Sequence, residues 1–276
     1  MLARRIVTAV VLLALLGGAI YFGPTTFSLA AATFVGVAVF EWLRLTGQRP
    51  VIAIGVAICG ASALWFVDHS GVPPQARTVI AWLALSAWGA LCILLLAFER
   101  GSTARIGRLT GALLCVILLT AAWLALMVLF RAGWIVLLSA LAIAWVADIA
   151  AYFAGRAFGR RKLAPRISPG KTWAGVVGAL VAVVVIAQLA AWAWPQAPLF
   201  TTTLLRQTSM LAGVLLLCLL VALAVLGDLF ESLLKRQAGA KDSGSLLPGH
   251  GGVLDRIDAL LPLLPALQLI RQGLSA

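Results

Sequence analysis

Long apolar runs separated by short polar segments dominate the pattern of this chain. Nine runs are long enough to cross a bilayer as a helix, which takes about 20 residues each. They cover residues 6–23, 25–41, 51–67, 78–98, 109–130, 134–155, 173–194, 209–230 and 251–270. The third run is short, and Pro262 and Pro265 interrupt the last one, so eight crossings are the alternative. The pattern predicts an all-α, polytopic transmembrane helical bundle.

The composition argues against a soluble protein. Hydrophobic residues make up 63% of the 276 residues and charged residues 11%, whereas soluble domains are about half apolar and a quarter charged. The formal net charge of +12 would by itself also suit nucleic-acid binding. The basic residues, however, form short clusters between apolar runs, as is typical of segments that contact anionic lipid headgroups. We therefore expect membrane lipids, and no nucleic acid, as partners.

The distribution of basic residues predicts the orientation of the helices. With the N-terminus in the cytoplasm, the inner segments contain 16 of the 21 basic residues. These are Arg4, Arg5, Arg44, Arg49, Arg100, Arg105, Arg108, Arg156, Arg160, Arg161, Lys162, Arg166, Lys171, Lys235, Arg236 and Lys241. The outer segments contain Arg77, Arg131, Arg206 and Arg271, and Arg256 lies within the last run. Because basic residues concentrate in cytoplasmic loops, loops 156–172 and 231–250 should face the cytoplasm.

The nine acidic residues are unevenly distributed. Glu41, Asp68 and Glu99 lie at helix ends, where solvation at the membrane interface is the simplest interpretation. The other six lie between residues 148 and 258, and are Asp148, Asp228, Glu231, Asp242, Asp255 and Asp258. An acid inside a membrane helix costs about 3 kcal/mol on insertion scales, so a functional role is the default expectation. We therefore predict a lipid-facing scaffold in 1–133 and a catalytic region in 134–276.

Several of these acids share a helix face with other polar residues, because residues three and four apart are neighbours on a helix. On the eighth predicted helix these residues are Asp228, Glu231, Ser232 and Lys235. The same spacing joins Asp255 to Asp258 and Asp148 to Tyr152. Carboxylates that converge from different helices suit Mg²⁺, a hard cation that leaves positions for phosphate. The alternative is ion pairing with Lys235, Arg256 or Arg156, without a metal.

Residues 167–173, Ile-Ser-Pro-Gly-Lys-Thr-Trp, are suited to an oxyanion. They bring the hydroxyls of Ser168 and Thr172 and the ammonium of Lys171 to the start of a helix. The Gly-Lys-Thr sequence is not a P-loop, because Pro165 stands where that motif requires its first glycine. The segment therefore predicts a phosphate contact of another kind.

Residues 249–252, Gly-His-Gly-Gly, precede the last predicted helix. Their backbone N–H groups can approach an anion closely, and a plain tight turn is the alternative. His250 lies between this turn and the face of Asp255, where a catalytic and a structural role are equally compatible with the sequence.

The segment 232–258 resembles the signature of the phosphatidate cytidylyltransferases, also called CDP-diacylglycerol synthases. Its sequence is Ser-Leu-Leu-Lys-Arg-Gln-Ala-Gly-Ala-Lys-Asp-Ser-Gly-Ser-Leu-Leu-Pro-Gly-His-Gly-Gly-Val-Leu-Asp-Arg-Ile-Asp. Residues 148–156, Asp-Ile-Ala-Ala-Tyr-Phe-Ala-Gly-Arg, and residues 167–173 are similar to upstream segments of that family, and Glu41-Trp42 is a weaker similarity. The specific resemblance therefore covers residues 148–258.

The resemblance implies transfer of a cytidylyl group from CTP to phosphatidic acid, giving CDP-diacylglycerol and pyrophosphate, with Mg²⁺ as cofactor. It also implies the cytoplasmic (inner) membrane of a bacterium, with the active site facing the cytoplasm. The sequence leaves open whether the chain acts as a homodimer.

Resemblance and spacing together assign roles in the catalytic region. The expected Mg²⁺ ligands are Asp228 and Asp255, supported by Asp258, Glu231 and Asp148. The expected catalytic residues are Asp228, Asp255, Lys235, Lys241 and His250. The expected substrate-binding residues are Ser168, Lys171, Thr172, Ser232, Arg236, Asp242, Gly251, Gly252, Arg256 and Tyr152. The family usually continues Lys-Thr-x-Glu-Gly, but Ala174 stands at the glutamate position, so no role is transferred to it.

Two other functions remain as alternatives. A CTP-dependent polyprenol or lipid kinase would share the acids and basic loops, but the full signature argues against it. A transporter would also carry acids within its helices, but transporters often contain inverted repeats and place the polar site near the bilayer midplane. Here no repeat is visible, and the polar residues cluster at the predicted cytoplasmic ends of helices.

Overall fold

The computed structural model describes residues 2–249 and 251–275. Eleven helices and two short strands follow one another in this part of the chain. The helices are α1 (Leu2–Tyr21), α2 (Pro24–Leu45), α3 (Pro50–Ser70), α4 (Pro74–Glu99), α5 (Arg108–Arg131), α6 (Trp134–Phe158), α7 (Trp173–Ala193), α8 (Phe200–Gln207), α9 (Met210–Gln237), α10 (Leu254–Ile257) and α11 (Leu260–Ser275). The strands are β1 (Lys162–Ala164) and β2 (Ser168–Thr172). The predicted helical bundle is confirmed.

Seven of these helices are long and apolar enough to span a membrane, namely α2, α3, α4, α5, α6, α7 and α9. This finding confirms a multi-pass membrane protein but does not confirm the predicted count of nine. The first and last predicted runs also form helices, α1 and α11. The apolar stretch of α1, Val10–Tyr21, is shorter, and α11 has only 16 residues.

Helix α11 runs through the interior of the bundle. Residues 261–268 are all buried, and the helix packs against α4, α5 and α9. Residues 261–267 are apolar on all sides of the helix, and a segment of this kind is expected to be buried. Its 16 residues span about 24 Å at 1.5 Å per residue. Pro262 lies in the first turn, where a missing N–H removes no helical hydrogen bond.

The segments predicted to be cytoplasmic meet at one end of the bundle. Hydrogen bonds join Gln48 to Arg108, Glu99 to Arg166 and Ile167, and Gln237 to Ala104 and Ile106. We call this the basic end. At the other end Asp68 pairs with Arg131, and Thr78 donates a hydrogen bond to Gln272. The predicted inner and outer segments therefore separate in space, as the predicted orientation requires.

A short β-hairpin at the basic end was not predicted. Strands β1 and β2 pair antiparallel, with Lys162 opposite Thr172 and Ala164 opposite Ser168. Both carboxylate oxygens of Glu99 accept hydrogen bonds from the backbone N–H of Arg166, and one also accepts from that of Ile167. The carboxylate at the end of α4 therefore holds the turn of the hairpin.

Helix α8 was also not predicted, because its eight residues lie in a segment that reads as an outer loop. Its buried residues include Phe200 and Leu204, and it packs against α6, α7 and α9. The hydroxyl of Ser139 on α6 accepts a hydrogen bond from the N–H of Phe200 at 2.8 Å. Helix α8 therefore closes the outer end between three longer helices.

Candidate active site

The acid-bearing face of α9 is oriented by packing on its opposite side. Phe230 is buried, and its ring lies 5.3 Å from the rings of both Trp42 and Trp88. Residues two apart lie on nearly opposite sides of a helix. Anchoring Phe230 in the core therefore turns Asp228 and Ser232 away from it, towards α6 and α7.

A cavity of about 470 Å³ lies between α6, α7, α9 and the hairpin. Its polar lining consists of Asp148, Tyr152, Arg156, Lys171, Thr172 and Asp228. Its apolar lining consists mainly of small residues, including Ala147, Ala151, Gly155, Gly175, Ala179 and Ala224. The cavity therefore has charged groups near the basic end and an uncharged floor among the helices.

Close packing of α6 on α7 shapes this cavity. A side-chain carbon at Gly175 would lie 2.9 Å from the carbonyl oxygen of Ala151, and one at Gly178 would lie 2.3 Å from the Cβ of Ala154. Only glycine allows the two backbones to approach so closely. Thr172 caps α7 at this point, since its hydroxyl accepts a hydrogen bond from the N–H of Gly175 at 3.1 Å.

Asp228 lies at the centre of the charged lining. Its carboxylate forms an ion pair with the ammonium of Lys171, and both side chains are partly exposed. Ser232 donates a hydrogen bond to Asp228 at the long distance of 3.5 Å. Asp148 and Asp258 lie close enough to Asp228 to repel it electrostatically. We call the cavity group the three lining residues Asp148, Lys171 and Asp228 together with Asp258, which lies beside them.

A second charged group begins about one turn further along α9, at Glu231, and extends to Lys235. The ammonium of Lys235 pairs with Glu231 on its own helix and with Asp255 on α10, the latter at 2.6 Å. The other carboxylate oxygen of Asp255 accepts hydrogen bonds from the N–H of Ser243 and of Gly252, both at 2.8 Å. We call these five residues (Glu231, Lys235, Ser243, Gly252 and Asp255) the loop group.

The surroundings of Asp255 keep it ionised. Burial alone would raise the pKa of its carboxyl group. Its contacts with Glu231, Lys235, Gly252 and Ser243 outweigh burial and hold that pKa well below the usual range. Asp255 is therefore a fixed negative charge that orders the signature segment around it.

Glu41 contacts the signature segment next to the loop group, although the sequence predicted no role for it in the site. It is buried at the basic end of α2 rather than solvated at the interface as expected. Its carboxylate accepts hydrogen bonds from the backbone N–H of Val253 and Leu254 and from the hydroxyl of Ser243. The weak similarity at Glu41-Trp42 was the only signal that could have indicated this contact.

Comparison with known proteins identifies the family. A sequence model described as the cytidylyltransferase family matches residues 3–273. The chain belongs to this family. A phosphatidate cytidylyltransferase of Pseudomonas aeruginosa is 38% identical over 268 residues, which cover 96% of this chain and 95% of the relative. Those of Haemophilus influenzae and Bacillus subtilis are 34% and 31% identical, and the matches cover 96% and 97% of this chain and 96% of each relative.

The glycines of the cytidylyltransferase signature approach carboxylates of the protein itself. Gly251 has a φ of +82°, and a Cβ there would lie 2.6 Å from a carboxylate oxygen of Asp255. The N–H of Gly252 donates to that same carboxylate oxygen. The glycine turn that we predict to bind a substrate anion therefore surrounds the carboxylate of Asp255. Contact of Gly251 and Gly252 with a substrate stays a prediction.

The other predicted residues lie around these two groups. Arg236 donates a hydrogen bond to the carbonyl oxygen of Ile167 at 3.2 Å, which joins α9 to the hairpin. Tyr152 accepts a hydrogen bond from Arg156 at 2.9 Å on the cavity wall. Ser168 begins β2 and is partly buried, whereas Lys241, Asp242 and Arg256 are exposed. His250 lies outside the described residues.

The Gly-Lys-Thr sequence adopts a different conformation from the one expected. Lys171 lies in β2, and the helix begins only at Trp173. The strand points the ammonium of Lys171 into the cavity, where it meets Asp228. Lys171 is therefore presented by a hairpin and not by a helix start, which agrees with the rejection of a P-loop.

The predicted metal ligands fall into two sets. Within residues 2–249 and 251–275, no three His, Cys, Asp or Glu side chains lie close enough together to hold a metal ion by themselves. Asp148, Asp228 and Asp258 act on one another electrostatically in the cavity group, while Glu231 and Asp255 share Lys235 in the loop group. Asp258 also acts on Glu231, so the two sets adjoin each other. Mg²⁺ needs only one or two carboxylates when substrate phosphates and water complete its coordination.

The donor chemistry of the five predicted ligands fits a divalent cation. All five are carboxyl groups, and oxygen donors are the ligands that Mg²⁺ prefers. Lysines pair with three of them, Asp228, Glu231 and Asp255. The donor set is therefore compatible with Mg²⁺ in its chemistry.

Proposed function

We propose that this cytidylyltransferase transfers the cytidylyl group of CTP to phosphatidate, giving CDP-diacylglycerol and pyrophosphate. The proposal is carried by the cavity between α6, α7 and α9, in which Lys171 and Asp228 meet beside an apolar floor. Three relatives that match almost the whole chain are named phosphatidate cytidylyltransferase, which supports the same substrate.

The shape of the cavity suits a reaction between a water-soluble and a membrane-embedded substrate. CTP must arrive from water, and the acyl chains of phosphatidate must remain in lipid. The charged lining lies next to the hairpin at the basic end, whereas the alanine and glycine floor lies between membrane-spanning helices. A nucleotide triphosphate and a lipid phosphate can therefore meet at the cavity group.

The phosphate of phosphatidate is already an anionic nucleophile and needs no proton removed. The main barrier is the approach of two polyanions, so neutralisation and alignment supply most of the rate. Lys171 is the cation best placed to contact a phosphate, because its ammonium lines the cavity and is only partly buried. Arg156, held by Tyr152 on the cavity wall, adds a second positive charge.

We propose Mg²⁺ as the cofactor, with Asp228 as its principal ligand. Asp148 and Asp258 are the neighbouring carboxylates, and Asp255 joins from the loop group with Glu231 behind it. When bound, Mg²⁺ would withdraw charge from the triphosphate. Asp228 is the most suitable ligand because its partner is a flexible lysine that can turn towards the nucleotide instead.

We propose that the site faces the cytoplasm of a bacterial cell, across the cytoplasmic membrane. The basic residues concentrate at the end that carries the site, and basic loops remain on the cytoplasmic side. The N-terminus is then inside and the C-terminus outside. Reporter fusions at residue 276 test this orientation, since a cytoplasmic reporter at that position contradicts it.

Pyrophosphate release by the protein purified in detergent tests the reaction. We expect release that depends on CTP, on phosphatidate and on Mg²⁺ together. A protein that releases no pyrophosphate with this mixture, while remaining folded, contradicts the proposal.

A further inference from the structure

Glu41 connects the N-terminal part of the bundle to the signature segment. The residue ends an apolar stretch of α2 and is only 3% exposed. One carboxylate oxygen accepts a hydrogen bond from the N–H of Val253 at 3.1 Å. The other accepts from the N–H of Leu254 at 2.7 Å and from the hydroxyl of Ser243 at 3.1 Å. Both oxygens are therefore used, and every donor belongs to the signature segment.

The signature segment is shaped to fit this carboxylate. A Cβ at Gly244 would lie 2.4 Å from the nearer oxygen of Glu41, and its three nearest atoms all belong to the Glu41 side chain. A Cβ at Gly252 would lie 2.5 Å from both oxygens. Neither glycine has a positive φ, so close approach to Glu41, and not backbone conformation, explains the small residue at Gly244.

Hydrogen bonds alone compensate for the buried charge. Within residues 2–249 and 251–275, no lysine or arginine forms an ion pair with Glu41. A buried carboxylate without a cation is costly unless several donors satisfy it. The three donors are fixed in place only when the signature segment adopts its observed conformation. The cost of leaving Glu41 unsatisfied therefore favours that conformation.

The same serine links Glu41 to the loop group. The hydroxyl of Ser243 lies 3.1 Å from Glu41 and 2.9 Å from the carboxylate of Asp255, so these two carboxylates share its single proton. Asp255 in turn holds Lys235 at 2.6 Å. A displacement of Glu41 is thus transmitted through one side chain to Asp255 and the ammonium beside it.

We infer that Glu41 is a positioning residue of the active site, which holds the signature segment through Ser243, Val253 and Leu254 so that Asp255 and Lys235 keep their places. It acts through these residues and contacts no substrate. The inference rests on the proposed function only for its turnover measurements, because the effect on the segment itself can be observed without substrate.

The first test is Glu41→Gln, with Asp68→Asn as the matched control. The glutamine has nearly the same size, but its NH₂ group faces N–H donors and cannot accept from them. Asp68 also ends a helix of the N-terminal region, but it pairs with Arg131 at the end opposite the site. We expect Glu41→Gln to lower kcat by about 10- to 100-fold, with the KM values for CTP and phosphatidate changed less than about twofold, and Asp68→Asn to leave both unchanged.

Hydrogen–deuterium exchange without substrate provides the second measurement. We expect faster exchange in Glu41→Gln only in peptides from residues 241–258, because local opening exposes local amides. Unchanged exchange there, or an increase spread over all helices, overturns the inference, since the residue would then be dispensable or generally structural. Faster exchange in residues 241–258 of Glu41→Gln can be observed even if the wild-type protein releases no pyrophosphate. Failure of the proposed reaction and failure of this inference therefore give different results.

A double-mutant cycle between Glu41 and Gly244 provides the third measurement. Gly244→Ala places a methyl group against the Glu41 carboxylate and should lower kcat by about tenfold or more. Glu41→Asp shortens the side chain and removes that clash. We expect the double variant to be at least as active as Gly244→Ala alone, since contacting residues are not additive. Independent losses that multiply in the double variant contradict the contact between the two residues.

Discussion

The cavity group and the loop group adjoin each other along α9, where Asp228 and Glu231 lie about one turn apart, but they differ in how many partners hold their carboxylates. In the cavity group, Asp228 has one flexible lysine and one long hydrogen bond as partners, and its side chain is 31% exposed. In the loop group, Asp255 has both oxygens occupied, and its side chain is 6% exposed. A lysine side chain on a flexible stem and a single long hydrogen bond are easily replaced by a substrate or a cation. The cavity group is therefore better suited to exchanging its partners for substrate and Mg²⁺, and the loop group to ordering the signature segment from which Asp255 supports the site.

The largest effect is expected from Asp228→Asn, which removes a charge from the cavity group while keeping its shape. We expect turnover to fall by about 10²- to 10³-fold and the Mg²⁺ requirement to rise, with little loss of folded protein. Pyrophosphate release and the melting temperature in detergent measure the two effects. Asp68→Asn is the control, and near-normal turnover at normal Mg²⁺ would show that Asp228 is a structural ion-pair residue.

Lys171→Ala should have the next largest effect. A hydrogen bond to a charged group contributes about 1.5–3 kcal/mol, which corresponds to a loss of about 10- to 150-fold in kcat/KM. We expect Lys171→Arg to retain part of the activity, because it keeps the charge but changes its geometry. Steady-state kinetics with varied CTP and varied phosphatidate identify the substrate that Lys171 contacts. Kinetics unchanged from wild type for Lys171→Ala would exclude a phosphate contact.

Asp255→Asn should differ from Asp228→Asn in its effect on the order of the signature segment. The asparagine keeps one acceptor but places an NH₂ group against donors, so at least one backbone N–H loses its partner at a cost of about 1–3 kcal/mol. We expect turnover to fall together with the order of residues 241–258, whereas Asp228→Asn lowers turnover alone. Hydrogen–deuterium exchange of both variants makes this comparison. Equal exchange of residues 241–258 in Asp228→Asn and Asp255→Asn would show that the two carboxylates do not differ in how they order the signature segment.

The smallest expected effect is that of pH on the stability contributed by Asp255. The lowered pKa of Asp255 means that its ionised form stabilises the folded protein at every pH above its unfolded pKa, about 3.9. That contribution is lost as the pH falls below this value towards the folded pKa. The difference in melting temperature between wild type and Asp255→Asn should therefore be constant from about pH 8 to 5 and shrink below about pH 4. A difference that already disappears near pH 6 would contradict the environment described for Asp255.

The sequence predicted what depends on local pattern. Apolar runs located the helices, and the spacing of Asp228, Glu231 and Lys235 located the acid-bearing face of α9. The count of crossings was less certain, because α11 is buried by other helices and needs less length than a lipid-exposed span. The division of the acids into an open and a held group could not be predicted, since it depends on which donors the loops bring to each carboxylate.

Contacts between distant parts of the chain account for what was missed. Glu41 looks like any acid at a helix end until the signature segment, about 200 residues later, supplies its three donors. The hairpin likewise depends on Glu99, whose carboxylate lies 67 residues before the turn that it holds. Neither partner has a spacing that a helix or strand period could reveal.

The destination of the phosphorus atoms of CTP tests the proposed reaction most directly. The purified wild-type protein is incubated with phosphatidate, Mg²⁺ and CTP labelled at either the α- or the γ-phosphorus. Transfer of the cytidylyl group predicts that the α-label enters the lipid and that the γ-label leaves as pyrophosphate. Entry of the γ-label into the lipid, with release of CDP, would show a kinase and contradict the account.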